Sequence, residues 1–275
     1  MSKSWSMLTR DEIANPFLAA AIEAVLTAGD IQLARLGTGF RVDPKGRGDI
    51  VTEVDLEVER LFRATMAERF PDHSVLAEEL EQTCPVGVAK YRWLFDPIDG
   101  TVNYAHGLPF FCASLALEVD GEIEVAAVYD PCRRELFTSE RKRGAWLNAQ
   151  PLHVSTVDRL EDAALGTGFP HGARVRVRAM ENLLSEYAVR ARAIRRLGSA
   201  ALDLCYVACG RMDGFWDCNL KPWDTAAGAL IVREAGGTVT ALDGGPFSYE
   251  SGNALASNGR IHDEMLSVMR AARIA

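Results

Sequence analysis

From Cys112 onward the chain abandons helical spacing. Its apolar residues fall into continuous or alternating runs at 114–119, 123–129 and 135–138. Asp120-Gly121 and Asp130-Pro131 punctuate them, so the stretch reads as an antiparallel meander. Helical spacing surrounds it. Leu18, Ile22, Val25, Leu33 and Leu36 line one face of a segment over 15–36 that Gly37 and Gly39 stop. Val54, Val58, Leu61, Phe62 and Met66 do the same over 53–70, ended by Pro71. Strands are expected at 74–77, 91–95, 194–197, 214–216 and 254–257. Further helices are expected at 175–192, 199–209, 223–235 and 261–272. The fold class is therefore mixed α/β (α+β), with helices and sheets in layers.

Composition excludes several classes. The 275 residues carry 30 Lys and Arg against 38 Asp and Glu, a net charge of −8. An acidic chain with no Lys/Arg-rich run is a poor binder of a nucleic-acid backbone, and none is expected as a partner. Apolar residues make up 48%, too many for a disordered chain. The apolar stretch 16–36 is interrupted by Glu23 and Asp30, which argues against a membrane span. Residues 1–10 are polar, and the six cysteines form no C-x-x-C pair. A cytoplasmic protein with reduced thiols is the expectation.

The most informative run is Trp93-Leu94-Phe95-Asp96-Pro97-Ile98-Asp99-Gly100-Thr101-Val102-Asn103-Tyr104. An apolar strand leads into Asp96, Pro97 stops the ladder, and Asp99-Gly100 turns the chain. Two carboxylates three residues apart, with the Ile98 carbonyl between them, form a set of hard oxygen donors suited to Mg²⁺ or Mn²⁺. Gly100-Thr101 offers backbone N–H groups to a phosphate. Taken alone, the run is also an ordinary turn. Glu78-Glu79 at the end of an apolar strand needs a neutralising partner, or is a surface turn. Asp224 could equally cap the helix it begins, and Asp49 and Asp55 could be solvated helix-start acids.

In order, Asp49-Ile50-Val51-Thr52-Glu53-Val54-Asp55, Ala77-Glu78-Glu79, the run from Asp96 to Tyr104, Trp223-Asp224-Thr225-Ala226-Ala227-Gly228 and Glu234-Ala235-Gly236-Gly237 resemble the inositol monophosphatase family. The family belongs to the Mg²⁺-dependent, Li⁺-sensitive phosphatases. The resemblance spans nearly the whole chain. It implies a layered αβαβα sandwich and one catalytic domain over 1–275, with a metal and phosphate half at about 1–150 and a substrate half at about 151–275. It also implies a homodimer and a small phosphorylated metabolite as substrate. Glu78, Asp96, the Ile98 carbonyl, Asp99 and Asp224 match the family's ligands for two Mg²⁺, with Asp96 bridging. Asp55 matches a residue that reaches a third through water. Gly100 and Thr101 match the phosphate turn. Asp49 and Thr101 match a pair that supports activation of the attacking water, whose proton Glu78 and Thr101 would take.

On the substrate side, Arg195-Arg196-Leu197-Gly198-Ser199-Ala200-Ala201 resembles the turn that meets the substrate's hydroxyls, with Gly198, Ser199 and Ala200 as contacts. Ser199 is also a plausible helix cap. Asp217 stands where inositol-acting members usually carry Glu, which leaves histidinol-phosphate, fructose-1,6-bisphosphate and nucleotide phosphatases as alternatives. A regulatory binding protein that keeps the fold is a further alternative. Lys45, in Val42-Asp43-Pro44-Lys45-Gly46-Arg47, matches the lysine of the family's metal-site loop. In-line displacement needs no Ser–His or Cys–His pair, and the five histidines suggest no metal pair. Gly166-Thr167-Gly168 is weak evidence for a nucleotide site. The arginines at 174, 176, 178, 190, 192, 195 and 196 are expected mostly on a solvated face.

Overall fold

The computed structural model describes residues 15–46, 49–80, 89–168 and 174–272, with only the backbone placed over 174–180. Cys84, His171, Arg47 and the side chains of Arg174, Arg176 and Arg178 lie outside the described residues. The chain runs α1 (Pro16–Arg35), β1 (Val42–Gly46), β2 (Asp49–Thr52), α2 (Glu53–Arg69), β3 (Ser74–Ala77), β4 (Tyr91–Asp99) and α3 (Thr101–Ala105). Next come β5 (Cys112–Val119), β6 (Glu122–Asp130), β7 (Glu135–Glu140), β8 (Gly144–Leu147), β9 (Gln150–Pro151) and β10 (Ala164–Thr167). Then follow α4 (Arg174–Ala188), β11 (Ala193–Arg195), α5 (Ala200–Ala208), β12 (Gly214–Cys218), α6 (Pro222–Glu234), β13 (Thr238–Thr240), β14 (Asn253–Ser257) and α7 (His262–Ala271).

β3 to β9 form one sheet in sequence order, parallel only between β3 and β4. A second sheet has the order β11-β10-β12-β14-β13, with its first three strands parallel. β1 and β2 pair as a separate hairpin. Three apolar clusters show the layers. One joins α1 and α2 to the large sheet, one packs α5 and α6 between the two sheets, and one packs α4 and α7 on the far side of the small sheet. The order is αβαβα, as the resemblance implies.

The expected meander is present, and its turn at Asp120-Gly121 has both residues at positive φ, as a tight hairpin requires. Sequence reading missed six short strands: β1 and β2, read as loop and helix start, β8 and β9, which extend the meander, and β10 and β13 of the second sheet. With two to five residues each, they offer few alternations to read.

α1 changes the reason behind another expectation. It is long and apolar enough on composition to cross a membrane. Its charges did not exclude that; its packing does the explaining. Ala20, Ala21, Val25 and Ala28 are buried against the large sheet, while Glu23 pairs outward with Arg69. Gln32, on the same helix, is buried and donates to the Pro97 carbonyl at 2.7 Å. α1 is thus a core helix tied to the strand that carries Asp96.

α5 and α6 cross closely because α6 carries Gly228 at the contact. A Cβ there would stand 2.6 Å from Leu204 Cβ. That neighbour is anchored to its backbone, so the helices would have to part. Gly228→Ala is expected to lower stability by about 1–3 kcal/mol, although alanine improves helix propensity by about 1 kcal/mol. Urea unfolding would measure it. Unchanged or greater stability would mean that the two helices can separate freely.

Candidate active site

The bulge in β4 organises the site. Asp96 pairs with Ser114 and Asp99 with Cys112, so β4 spends one extra residue against β5. Pro97, without an N–H, sits in that irregularity. The strand therefore runs on to Asp99 instead of ending at Phe95. Gly100 follows with φ +103, and a Cβ there would lie 3.0 Å from the Phe110 carbonyl. Only glycine fits comfortably. α3 starts immediately afterwards and leaves its first amides without helical acceptors.

Four elements bring carboxylates together. α2 carries Asp55, the bend after β3 carries Glu78 and Glu79, β4 carries Asp96 and Asp99, and α6 carries Asp224. Burial, then Glu78, Asp99, Asp224 and Asp55 in turn, hold the Asp96 carboxyl well above the usual range. Burial and then Asp99 and Glu78 do the same to Asp224. Burial lifts Asp99 to about 6 despite hydrogen bonds from Ser199 and Ala201.

Each of these three spends one oxygen on the chain. The Ile98 N–H donates to Asp96 Oδ1 at 2.9 Å, and the Lys221 N–H donates to Asp224 Oδ2 at 2.7 Å. The Ser199 hydroxyl and the Ala201 N–H both donate to Asp99 Oδ2 at 2.7 Å. Among the described residues, no side-chain or backbone donor is paired with Asp96 Oδ2, Asp99 Oδ1 or Asp224 Oδ1.

Three free carboxylate oxygens and a nearby backbone carbonyl, with no thiolate or imidazole among them, make a donor set fitted to a hard divalent cation. Among the described residues, no three such side chains are yet gathered closely enough to grip one ion.

Asp55 is not a solvated helix-start acid. It is fully buried and completes a capping box on α2, accepting from the Thr52 N–H at 2.9 Å and from the Thr52 hydroxyl. Burial lifts it to about 6, against the Thr52 hydrogen bonds. It is the carboxylate that reaches Thr101, where Asp49 was the expected partner. The Thr101 hydroxyl faces the Ile98 carbonyl at 2.9 Å and Asp55 Oδ1 at 3.3 Å. Asp49 sits at the irregular end of the β1–β2 hairpin and makes no side-chain hydrogen bond to Thr101.

The neutraliser of the acid pair is Lys45, on β1. Its Nζ lies 2.8 Å from Glu78 Oε1 and 2.7 Å from Glu79 Oε1. Burial would lower its pKa, but the two glutamates outweigh that and raise it. Glu79 itself is pushed up to about 8 by burial and by Glu78. Glu59, which sequence reading missed, shapes this bend. Its buried carboxylate accepts the N–H groups of Glu79 and Leu80 at 2.7 and 3.1 Å and pairs with Arg63. A lone glutamate inside a helix carries no local signal of such a role.

The substrate-side residues divide. Gly198 (φ +90) stands against the Asn103 side chain, and Ala200 opens α5. Ser199 is buried, and its hydroxyl meets Asp99 as well as capping α5 through the Leu202 N–H at 3.3 Å. Asp217 is buried on β12, and burial raises it to about 7. The glycines at 166 and 168 serve close packing. A Cβ on Gly168 would sit 1.9 Å from Asp217 Oδ2, and one on Gly166 would sit 2.9 Å from Met212 Sδ. Arg190 and Arg192 lie on the solvated face, paired with Glu186 and Asp162.

The described residues do contain a Ser–His contact, Ser257 Oγ to His262 Nδ1 at 2.8 Å. Both are buried, Thr240 occupies the other ring nitrogen, and Ser257 also accepts the Gly259 N–H. The pair braces the turn into α7.

The family description "Inositol monophosphatase family" matches residues 14–273. The chain belongs to the inositol monophosphatase family. Members similar to it include the Inositol-1-monophosphatase of Synechocystis, 42% identical over 259 residues that cover 93% of this chain and 89% of that protein. The Nus factor SuhB of Escherichia coli K12 is 41% identical over 261 residues, covering 93% of this chain and 96% of the relative. Among solved inositol monophosphatase-fold structures, the extragenic suppressor protein suhB of Bartonella henselae superposes with a TM-score of 0.89 at 37% identity, covering 93% and 99% of the two chains.

Proposed function

We propose that this member of the family is a Mg²⁺-dependent phosphomonoester hydrolase acting on a small phosphorylated polyol, inositol monophosphate first. One observation carries the reading: among the described residues, Asp96, Asp99 and Asp224, from β4 and α6, each keep one oxygen free in the same acidic pocket. Glu78, Asp96, the Ile98 carbonyl, Asp99 and Asp224 would hold Mg²⁺, with Asp55 behind them. Mn²⁺ would suit the same oxygens. The bound cations would screen the phosphate charge and lower the pKa of water.

The chain's own groups do the rest. The first amides of α3, after Gly100, face an anion unobstructed by a side chain at position 100. With its proton directed to the Ile98 carbonyl or Asp55, the Thr101 oxygen can accept from the attacking water and orient it. Glu78 takes the proton, and Asp49 would support activation of the water. The Gly198 to Ala200 turn and Asp217 would position the substrate's hydroxyls. Burial that favours a protonated Asp217 lets it donate to a hydroxyl as well as accept.

A phosphate-release screen tests this. Inositol monophosphate should show the highest kcat/KM among histidinol phosphate, fructose-1,6-bisphosphate and nucleotide monophosphates. Chelator should abolish release, and Li⁺ should inhibit it. Saturating Mg²⁺ should raise the melting temperature, since a ligand at 100 times its Kd contributes about 2.7 kcal/mol. Release that survives chelation would sink the metal assignment, and a poor rate on inositol monophosphate would remove that substrate.

A second reading, a binding role beside hydrolysis, is favoured by the relatives named Nus factor SuhB. A partner that co-purifies stoichiometrically with the full chain would support it. The cytoplasm and a homodimer remain part of the proposal, the latter tested by light scattering.

A further inference from the structure

The two halves of the site meet at one joint. From the large-sheet side come Asp99 and Asn103, and from the other side comes the turn before α5. The Asn103 Nδ2 group donates to the Leu197 carbonyl at 2.7 Å and to the Phe110 carbonyl at 2.8 Å. Asp99 Oδ2 accepts both the Ser199 hydroxyl and the Ala201 N–H. Cys112 Sγ closes the joint, 3.6 Å from Ser199 Oγ and 3.9 Å from Asp99 Oδ2. Ser199 and Cys112 are buried, so these hydrogen bonds to a carboxylate form away from water, where they are strongest.

We propose that Ser199 is a positioning residue for Asp99: it and the Ala201 amide clamp one carboxylate oxygen so that the other is held ready for the cation. The inference rests on the phosphatase reading above. The same turn carries Gly198 and Ala200 on the substrate side. A ligand that orders the turn therefore orders the clamp, and by reciprocity cation binding strengthens ligand binding. Asn103 keeps the turn seated, since its grip on Leu197 fixes the residue two before Ser199.

Three variants of the full chain separate clamping from helix capping. Ser199→Gly removes the hydroxyl while weakening the helix cap far less than alanine does. Ser199→Thr restores both the hydroxyl and the cap. Ser199→Ala removes both. Mn²⁺ binding is read by electron paramagnetic resonance, without substrate, and inorganic phosphate is then titrated by calorimetry with and without Mn²⁺. Circular dichroism melts report the fold.

Ser199→Gly should weaken Mn²⁺ binding about tenfold, the loss of one hydrogen bond to a charged group. It should also shrink the enhancement of phosphate binding by Mn²⁺, with its melt close to wild type. Ser199→Thr should recover most of both. A Ser199→Gly protein that binds Mn²⁺ like wild type overturns the clamp alone, as does a Ser199→Thr protein no better than Ser199→Gly. Weakening only in Ser199→Ala would assign the effect to capping and overturn it too. A wild type that binds no Mn²⁺ overturns both this inference and the phosphatase reading.

Discussion

Asp96→Asn is expected to lose turnover by about a thousandfold or more while the protein stays folded. Asp96 is the carboxylate on which the others press: burial first, then Glu78, Asp99, Asp224 and Asp55 all disfavour its charge. Asparagine keeps the shape, and its amide oxygen can still accept the Ile98 N–H. It removes the central negative charge. Two results should therefore appear together. The cation-free variant should melt higher than cation-free wild type, because one buried like charge is gone. The stabilisation by Mg²⁺ should largely vanish, because the ligand linking the others is gone. Thermal melts with EDTA and with Mg²⁺, beside phosphate release, measure both. An active Asp96→Asn enzyme would remove Asp96 from the cation site.

Phe95→Ala should have the largest effect on the fold, about 3–5 kcal/mol. Phe95 is fully buried on β4, its ring centroid 4.2 Å from that of Phe62 on α2, in the cluster that fixes α1 and α2 to the large sheet. Removing the ring leaves a cavity that flanking helices tied by Gln32 and the Arg69–Glu23 pair cannot readily fill. Urea unfolding should show a lower midpoint with an unchanged slope. Turnover should fall too, since the next residue is Asp96, but by less than in Asp96→Asn. A loss under about 1 kcal/mol would mean that α2 collapses into the space.

The carboxylates were legible because their neighbours in sequence declare them. Asp96 and Asp99 follow an apolar strand, and Asp224 opens a helix with a small-residue face. The positions of Gly100 and Gly228 were equally local. The partners of these residues were not legible. Nothing near Lys45 in sequence says that it bridges Glu78 and Glu79, 33 and 34 residues away. Nothing near Ser199 says that its hydroxyl meets Asp99, 100 residues away. Asp49 and Asp55 look alike as helix-start acids, yet one is buried on Thr101 and the other lies on a hairpin that is itself too short to read.

The sequence by itself determined the layer class, the order of the long helices and of most strands, the family, and the acids that could hold a cation. Those depend on periodicity and on residues within a few positions of one another, where the backbone geometry is fixed by local rules. Only the tertiary structure decided which oxygen of each acid is spent and which is free, that Thr101 answers to Asp55, and that Ser199 reaches Asp99. Each of these is a hydrogen bond between elements, and its existence depends on how sheets and helices pack across tens of residues. The net charge of −8 shows the same division. The sum is read from composition, but the gathering of Asp55, Glu78, Glu79, Asp96, Asp99 and Asp224 into one acidic pocket, with Lys45 on two of them, is made by folding.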